Sequence, residues 1–360
     1  MKNIAIIGTV GVPGNYGGFE TLAENLARYH SDKKIPIGLA IYCSAPAFSK
    51  SENSYLGANL RYLPLRANGV HSIAYDVVSM LDAIRRRDDV ILALGVSGAI
   101  CIPIVRVISK IRIVTNIDGI EWKRKKWNSI TKVFLRWSEW LAIRYSHVVI
   151  SDNAAIADYI DRSHGRTSQT IAYGGDHAVA NWGEADAPAG LPAQYALALC
   201  RIEPENNVHV ILEALADHDI PLVFVGNWHK SEYGSNLRAS YKHHSNLHLI
   251  DPVYEPRELR ALRARAIVYL HGHSAGGTNP SLVEMMHFSV PILAYDCSFN
   301  RHTTEDKALY FNNSNQLARL LHGLNPSLAI RVGRSMHEIA QRRYTWDQVG
   351  KAYFDLLDHS

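Results

Sequence analysis

Two glycine-rich loops in this sequence contain residue types that could bind an anionic ligand. The first lies in IAIIGTVGVPGNYGGFETLAENL, residues 4–26, where an apolar, strand-like run enters a loop and then a helix. Glycines allow positive φ angles and close approach of a ligand, and a helix N-terminus offers unpaired N–H groups with partial positive charge. We therefore predict an acceptor-binding or anion-binding loop, with the contact residues Gly14, Tyr16, Gly17, Gly18, Glu20 and Thr21.

The second loop lies in HGHSAGGTNPSLVEMM, residues 271–286, which follows a strand-like run and opens a helix. Gly276 and Gly277 permit a tight turn, Pro280 suits a first helical turn, and Ser281 with Glu284 has the spacing of a capping box. The N–H groups at this helix start could bind a diphosphate without a metal ion. The alternative is a well-capped helix whose glycines only turn the chain.

A third segment, CRIEPENNVHVILEAL at residues 200–215, has an arginine directly after a predicted strand. The guanidinium of Arg201 could bind a diphosphate through two parallel hydrogen bonds. The alternative is a surface ion pair with Glu203 or Glu205. This segment alone is weak evidence for either role.

The spacing of Gly8, Gly11 and Gly14 is similar to the fingerprint of short-chain dehydrogenases, so an NAD-dependent oxidoreductase is an alternative. A dinucleotide site needs an acidic residue about 20 residues onward, at the end of the second strand. The second predicted strand ends instead in IYCS, residues 41–44. The four cysteines contain no CxxC pair, and no Cys or carboxylate joins the 18 histidines at a familiar ligand spacing, so we predict no metal site.

These loops must be positioned by the strands and helices around them. The chain has 360 residues, of which 47% are hydrophobic and 20% charged, and this predicts two globular domains. Short β-branched runs alternate with helical stretches, which is typical of parallel sheets covered by helices on both faces. The predicted strands are 3–8, 37–42, 60–64, 90–94, 111–116, 147–150, 169–173, 195–199, 221–225, 247–250, 266–270 and 291–294. The predicted helices are 18–30, 73–86, 127–145, 153–162, 206–216, 255–265, 281–288, 313–322, 326–341 and 344–358.

The order of these elements predicts two Rossmann-like, doubly wound α/β domains that face one another across a cleft. Residues 1–175 form the first domain, and residues 194–340 form the second. The linker, residues 176–193, is rich in Gly, Ala and Pro and has no apolar periodicity. A C-terminal helix, residues 341–360, crosses back to the N-terminal domain. Ligands in such sheets bind beyond the carboxyl ends of the strands.

Positive charge is concentrated in one part of the chain. The net charge is only +4, but residues 104–144 contain ten basic and three acidic residues, a net charge of +7. Four tryptophans lie in the same stretch, and this combination suits an anionic membrane surface or a lipid diphosphate. The alternative is a solvated helix face with the tryptophans packed inward. We predict a membrane contact through segment 122–140 and no nucleic-acid binding, because the rest of the chain has no basic footprint.

The sequence also predicts where the protein works. MKNIAIIG runs directly into a strand with no cleavage site for a secretory signal, and the longest apolar stretch, Val90–Val105, is too short for a membrane span. We therefore expect a cytoplasmic protein that is peripheral on the inner face of the plasma membrane.

Taken together, these segments resemble bacterial rhamnosyltransferases of the retaining glycosyltransferase family 4, which have the two-domain GT-B fold. IGTVGVPGNYGGFETLAENLA and NIDGIEWKRKKW are similar to the uncharacterised domain that heads those enzymes. CRIEPENN and GHSAGGTNPSLVEMMHFSVPILAYDCSFNR are similar to their donor domain. The resemblance covers essentially the whole chain. It implies that residues 1–175 are the acceptor-side domain and residues 194–340 the nucleotide-sugar (donor) domain.

The resemblance implies roles for individual residues. Arg201 matches the arginine that binds the donor diphosphate, Glu284 matches the glutamate that holds the nucleotide ribose, and Asp118 lies where the family often has a base or sugar-positioning residue. Two positions depart from the family pattern, because its lysine is here Asn206 and its first glutamate is Gly276. His273 or Asn279 could replace that glutamate. The full predicted donor-binding set is Arg201, Asn206, Gly226, His273, Gly276, Gly277, Thr278, Asn279, Ser281 and Glu284.

The activity implied is metal-independent hexosyl transfer with retention, without a resident cofactor. The donor would be dTDP-rhamnose and the acceptor a lipid-linked saccharide in the synthesis of capsule, exopolysaccharide or O-antigen. Alternatives are a transferase that uses a mannose, glucose or N-acetylhexosamine donor, and a non-catalytic, two-lobed sugar-binding protein. The sequence leaves the oligomeric state open.

Overall fold

The computed structural model describes residues 1–14, 17–117, 119–123, 127–180, 183 and 187–359. The chain divides into two compact units, which we call the N-terminal unit (Met1–Tyr173 with Trp346–Ser360) and the C-terminal unit (Gly174–Thr345). The predicted boundaries of the two domains lie within a few residues of these limits, except that the C-terminal unit also includes the whole predicted linker, residues 176–193.

The N-terminal unit contains one sheet in the strand order β3-β4-β2-β1-β5-β6-β7-β8. Neighbouring strands are parallel except for the short antiparallel β3–β4 pair. The strands are β1 (Asn3–Ile7), β2 (Gly38–Ser44), β3 (Ser54–Tyr55), β4 (Ala58–Leu63), β5 (Val90–Leu94), β6 (Arg112–Ile117), β7 (Val148–Ser151) and β8 (Gln169–Thr170). The helices are α1 (Gly18–Asp32), α2 (His71–Arg86), α3 (Ile102–Ile108), α4 (Ser129–Tyr145) and α5 (Ala154–His164).

The C-terminal unit contains a six-stranded parallel sheet in the order β11-β10-β9-β12-β13-β14. Its strands are β9 (Tyr195–Leu199), β10 (Leu222–Val225), β11 (Leu247–Ile250), β12 (Ala266–His271), β13 (Ile292–Tyr295) and β14 (Leu309–Phe311). Its helices are α6 (Val208–Leu215), α7 (Glu232–Ser240), α8 (Pro256–Ala264), α9 (Pro280–Met286), α10 (Ser298–Thr303), α11 (Ser314–His322) and α12 (Pro326–Arg343). The last helix, α13 (Trp346–His359), belongs to the N-terminal unit.

Both sheets have the topology of doubly wound nucleotide-binding folds. In each, the order of strands reverses once, between β1 and β5 in the N-terminal unit and between β9 and β12 in the C-terminal unit. The central strands are apolar along their whole length, because helices cover both faces of such a sheet and leave no polar side. The prediction of two Rossmann-like domains is confirmed. Each reversal is a topological switch point, where the loops after two adjacent strands diverge and leave room for a ligand.

Helix α13 packs against α1 within the N-terminal unit. The Phe354 ring stacks on Tyr29 at 5.9 Å between centroids, and Gly350 lies so close to Tyr29 that a Cβ would be 2.4 Å from its ring. The Asn116 amide of β6 donates a hydrogen bond of 2.5 Å to the Tyr353 hydroxyl. The last helix is therefore part of the core of the N-terminal unit.

Five elements are not predicted by the sequence. Strands β3 and β14 and helix α10 are too short for a periodic pattern, and α7 has few apolar residues. Helix α3 begins within the apolar stretch 90–105, where strand, turn and helix follow one another without a charged residue. Its outward face is apolar as well, so the amphipathic pattern of a surface helix is missing. Within the described ranges, no helix is both long enough and apolar enough to cross a bilayer.

Candidate active site

The segments after β9 and β12 meet at the switch point of the C-terminal unit. Ser274 donates two hydrogen bonds to the Glu205 carbonyl, from its N–H at 3.0 Å and its hydroxyl at 2.8 Å. The Asn207 amide donates to the Gly272 carbonyl at 2.8 Å. A Cβ on Gly272 would lie 2.2 Å from the Asn206 carbonyl oxygen, so only glycine fits there. The segment after β9 and the segment after β12, which are distant in the sequence, are thus joined by hydrogen bonds at the switch point.

Arg201 begins the first of these segments, and its side chain is 41% exposed. The Arg201 Nε lies 3.9 Å from the Glu203 carboxylate, which is the surface ion pair that the sequence offered as the alternative role. Exposed pairs of this length contribute at most about 1 kcal/mol. The pair therefore leaves the guanidinium able to bind an anionic ligand.

Two further residues of the predicted donor set shape the Arg201 segment. The buried Asn206 amide donates to the Arg201 carbonyl at 2.7 Å, which closes the turn that follows β9. Gly226 follows β10, and a Cβ there would lie 2.4 Å from Ile202 and 2.7 Å from the Cys200 carbonyl oxygen. Both residues hold this turn in place, and their direct contact with a donor stays a prediction.

The glycine-rich loop leads into α9 through an asparagine cap. Gly276 has a φ of +129°, a conformation that favours glycine, with open space where a Cβ would lie. The Asn279 carboxamide oxygen accepts hydrogen bonds from the Ser281 N–H at 3.2 Å and the Ser281 hydroxyl at 2.9 Å. The predicted capping box is wrong, because the N-cap is Asn279, two residues before Ser281. Pro280 occupies the first helical position as predicted. Gly277 and Thr278 complete the loop, and donor binding by this loop stays a prediction.

Glu284, the predicted ribose ligand, is buried on α9 with both carboxylate oxygens in use. Its Oε2 pairs with the Arg263 guanidinium of α8, and its Oε1 lies 3.3 Å from Nε2 of His177. Burial alone would raise the pKa of Glu284, but the nearby Arg263 and His177 outweigh burial and lower its pKa. The carboxylate is therefore ionised at neutral pH, as a ligand for ribose hydroxyls must be.

Sequence reasoning missed Arg263 and His177. Arg263 is one of several arginines in PRELRALRARA, residues 256–266, and nothing in that pattern separates it from its neighbours. His177 lies in a segment that has no apolar periodicity, where the structure forms a short 3-10 helix, Asp176–Val179, packed on α8 and α9. Only the fold brings these two side chains to Glu284.

His271 and His273 stack at the end of β12. Their ring centroids are 4.4 Å apart and nearly parallel, and Tyr269 lies 5.9 Å from the other side of His271. Neither ring nitrogen of the buried His271 has a hydrogen-bond partner among the described residues. Burial lowers the pKa of His271 to about 3, so the ring is neutral at physiological pH. His271 therefore stacks on His273 as a neutral ring and adds no charge, and the role of His273 toward a sugar stays a prediction.

The glycine-rich loop of the N-terminal unit binds carboxylates of its own chain. The Val10 N–H donates to Glu20 at 2.8 Å, and the Gly14 N–H donates to Glu24 at 2.9 Å. Burial raises the pKa of Glu20, and the Val10 N–H limits that rise. Gly17, the N-cap of α1, has a φ of +136°. An incoming anion would have to share or replace these internal partners.

Other predicted residues of this unit are only partly described. Gly18 is the first residue of α1, and the Thr21 hydroxyl donates to the Gly17 carbonyl at 3.0 Å. Tyr16 and Asp118 lie outside the described residues. The anion-binding role of the loop and the role of Asp118 stay predictions. Across the ranges that the structure describes, no three His, Cys, Asp or Glu side chains gather as a metal-binding group.

In the basic, tryptophan-containing segment 122–140, some tryptophans pack inward and others are exposed, so each predicted arrangement occurs in part. Trp122 points inward, where its Nε1 donates to the buried Glu139 at 3.2 Å and its ring packs under Arg136. Burial raises the pKa of Glu139 despite hydrogen bonds from Trp122 and Tyr159. Trp137 and Trp140 of α4 are exposed. Inward and outward tryptophans thus occur in one segment.

Two family models match different parts of the chain. Residues 1–176 match the model described as Domain of unknown function (DUF1972), and residues 188–324 match Glycosyl transferases group 1. A comparison with curated protein sequences finds no match.

Solved structures of low sequence identity share the fold of this chain over nearly its whole length. Sucrose-phosphate synthase from Thermosynechococcus elongatus aligns with a TM-score of 0.78 and 15% identity over 100% of both chains. HepE from Anabaena, solved with UDP-glucose, aligns with a TM-score of 0.73 and 15% identity over 100% of both chains. A glycosyltransferase from Rickettsia africae aligns with a TM-score of 0.70 and 12% identity over 99% of this chain and 97% of the other.

These similarities define the class of protein. The fold is GT-B, built from two Rossmann-like α/β domains, as the sequence predicts. Residues 188–324 match the group 1 glycosyltransferase model, and together with the match of residues 1–176 this supports a glycosyltransferase.

Proposed function

We propose that this protein is a retaining, metal-independent glycosyltransferase of family 4 that transfers rhamnose from dTDP-rhamnose to a lipid-linked saccharide. The product would enter a bacterial surface polysaccharide. The observation that carries the proposal is the switch point of the C-terminal unit, where the Arg201 guanidinium, the Gly276–Asn279 loop and the Glu284 carboxylate follow neighbouring strands. The HepE structures, which contain UDP or UDP-glucose, support a nucleotide sugar as the donor class.

In the proposed reaction, the donor diphosphate binds Arg201 and the amides of the glycine loop, and its ribose binds Glu284. The acceptor hydroxyl attacks C1 of the sugar from the face that the diphosphate leaves. The bond from C1 to the diphosphate oxygen breaks as the bond to the acceptor oxygen forms. The acceptor proton passes to the departing diphosphate or to Asp118. Stabilising the departing negative charge is then the main task of the site.

The proposal is tested with the purified full chain and a panel of nucleotide sugars. We expect dTDP-rhamnose to give the largest thermal shift and to be consumed in a transfer or hydrolysis assay. A larger shift with a mannose, glucose or N-acetylhexosamine donor would overturn the choice of rhamnose. Sugar binding without consumption of any donor would favour the two-lobed binding protein, and reduction of NAD by the chain would favour the oxidoreductase.

Arg201→Ala tests the part of the site that stabilises the departing charge. We expect turnover to fall on the order of 10²–10³-fold, the size typical of losing one preorganised charge-stabilising group. Arg319→Ala is a matched control, because Arg319 is an exposed arginine on α11 of the same unit. Equal turnover of the two variants, with folding intact, would show that Arg201 does not bind the diphosphate.

The proposal also includes a position on the inner face of the plasma membrane. A lipid-linked acceptor is confined to a bilayer, so an enzyme that glycosylates it gains from residing there. The exposed Trp137 and Trp140, together with the basic residues of segment 122–140, support this part of the proposal.

A further inference from the structure

Half of the large apolar side chains that are exposed in the described part of the chain lie on two neighbouring helices. These helices are α3 and α4 of the N-terminal unit. The exposed fraction of these side chains ranges from 43% for Trp140 to 85% for Val107, far above what a core position allows. The set comprises Ile104, Val107, Ile108, Ile130, Val133, Trp137 and Trp140. A concentration of this kind marks an interaction surface.

The seven side chains form stripes along the two helices. On α4 they recur at residues 130, 133, 137 and 140, which lie on one side of an α-helix, and on α3 residues 104, 107 and 108 do the same. Helix α3 packs against α4. The strands that they connect, β5, β6 and β7, are neighbours in the sheet, so right-handed crossovers bring both helices to the same face. The stripes therefore lie side by side, and we call them the α3–α4 surface.

The inward face of α4 already has its partners. Ser138, Leu141 and Ala142 are buried, and the Ser138 hydroxyl donates to the Val96 carbonyl at 2.5 Å. The outward stripe is thus a second apolar face, additional to the one that packs on the domain. Such a helix would ordinarily be polar on that side.

Positive charge borders the α3–α4 surface. Arg106, Lys110, Lys132 and Arg144 lie on or beside the two helices, and among the described residues none of them forms a salt bridge. The only acidic residue in segments 102–112 and 127–147 is Glu139, which is buried against Trp122 and Tyr159. The surface therefore combines apolar side chains, exposed tryptophans and cations that no described carboxylate neutralises.

We propose that the α3–α4 surface docks on an anionic lipid bilayer. The apolar side chains enter the boundary between head groups and acyl chains, and the basic side chains contact lipid phosphates. A second copy of this chain fits less well, because pairing the surface with itself would bring cations against cations. This inference names the residues of the membrane contact that the proposed function requires. It corrects the predicted segment 122–140 by removing Trp122 and adding α3.

The test is co-sedimentation of the full chain with phosphatidylcholine vesicles prepared with and without phosphatidylglycerol. We expect binding to the anionic vesicles, with weaker binding at high salt and to the neutral vesicles. In the double variant Val107→Asp/Ile130→Asp, binding to anionic vesicles should fall at least about tenfold, since two apolar contacts are replaced by charges that anionic lipid repels.

The matched control is the double variant Val70→Asp/Ile330→Asp. Val70 has the same exposed fraction as Ile130, 82%, and neither control residue belongs to α3 or α4. All four positions are exposed, so neither variant should lose its fold, which circular dichroism verifies. Equal vesicle binding by the two double variants would overturn the proposal, as would the absence of binding by the wild type.

Two further measurements distinguish a lipid bilayer from a second copy of this chain as the partner of the α3–α4 surface, and the docking proposal from the proposed function. Sedimentation velocity shows whether the wild type self-associates, and a dimer abolished by Val107→Asp/Ile130→Asp with vesicle binding unchanged would assign the surface to a second copy. The thermal shift with dTDP-rhamnose, measured without vesicles, should be the same for wild type and variant. Normal donor binding without vesicle binding would overturn only the docking surface, and vesicle binding without any nucleotide-sugar response would overturn only the proposed function.

Discussion

The buried pair between Arg263 and Glu284 gives a prediction whose size follows from the structure. Arg263→Met removes the cation and leaves a buried carboxylate whose remaining partner is His177, 3.3 Å away. Removing one member of a buried ion pair costs about 3–5 kcal/mol, and since His177 remains we expect about 3 kcal/mol. A domain the size of the C-terminal unit loses about 2–4 °C in Tm per kcal/mol, so the unfolding transition of this unit should fall by about 6–12 °C at neutral pH.

The pH dependence of this loss identifies its cause. In the wild type, the pKa of Glu284 is lowered by folding, so the pair stabilises the fold above about 4.5, the usual pKa of a glutamate, and less at more acid pH. In Arg263→Met, burial acts without the opposing cation and raises the pKa of Glu284 above its unfolded value. The difference in stability between the two proteins should therefore be smallest at acid pH, where Glu284 is protonated in both, and should grow as the pH rises to neutral.

Calorimetry of the wild type and the variant across this pH range measures the effect. Arg260→Met is the control, because Arg260 lies one turn away on the same helix and is more exposed than Arg263. In Arg263→Met/Glu284→Gln the charge is absent, so most of the pH dependence should disappear. A loss that is equal for Arg260→Met, or that does not change with pH, would refute the assignment of Arg263 as the group that keeps Glu284 ionised.

Two further predictions concern other parts of the structure. Asp76 is buried with Oδ1 unpartnered among the described residues, and burial raises its pKa to about 7 despite a hydrogen bond from the Gly98 N–H. Because the pKa of Asp76 is lower in the unfolded chain, the wild type should lose up to about 4 kcal/mol of stability from this group between about pH 4 and pH 8. Asp76→Asn should abolish this pH-dependent loss. Parallel pH profiles of Tm for the two proteins would contradict the prediction. Gly272→Ala should destabilise the C-terminal unit by about 1–3 kcal/mol in urea unfolding and weaken nucleotide binding. The reason is that the new methyl group would lie 2.2 Å from the Asn206 carbonyl oxygen. An effect no larger than that of the control variant Gly323→Ala would count against this close approach.

The sequence predicts most of the strands because their patterns are local. Strands β5, β9 and β11 have the predicted limits, since each is a short apolar run between polar or turn-forming residues. Helix α3 could not be predicted from periodicity, because both its inward and outward faces are apolar. The predicted capping box at Ser281 and Glu284 is wrong because the sequence pattern does not show where the helix begins. Asn279 directly precedes a proline and caps α9 itself, so Ser281 is already inside the helix.

The sequence predicts where the residues of the candidate site lie in the fold, but it does not predict which side chains contact them. The ends of β9 and β12 are identifiable from sequence, and with them Arg201 and the Gly276 loop. The carboxylate partners are not, because Arg263 and His177 reach Glu284 only through the packing of α8 and of the 3-10 helix on α9. In the loop of the N-terminal unit, Gly8, Gly11 and Gly17 have positive φ angles, whereas Gly14 and Gly18 do not. The amides of Val10 and Gly14 bind Glu20 and Glu24, which no spacing rule indicates.

The path of the chain has a consequence for how this protein is made. The C-terminal unit is inserted between residues 173 and 346 of the other unit, and its two ends are held together by the hydrogen bond of 2.7 Å from the Gly175 N–H to the Tyr344 carbonyl. During synthesis on a ribosome, α1 emerges before the C-terminal unit, while α13, the helix that covers Tyr29 and Asn116, emerges after it. The core of the N-terminal unit therefore stays incompletely packed while the whole inserted domain is translated. A chain that stops before residue 346 therefore lacks its last core helix and should be a ready target for chaperones and proteases.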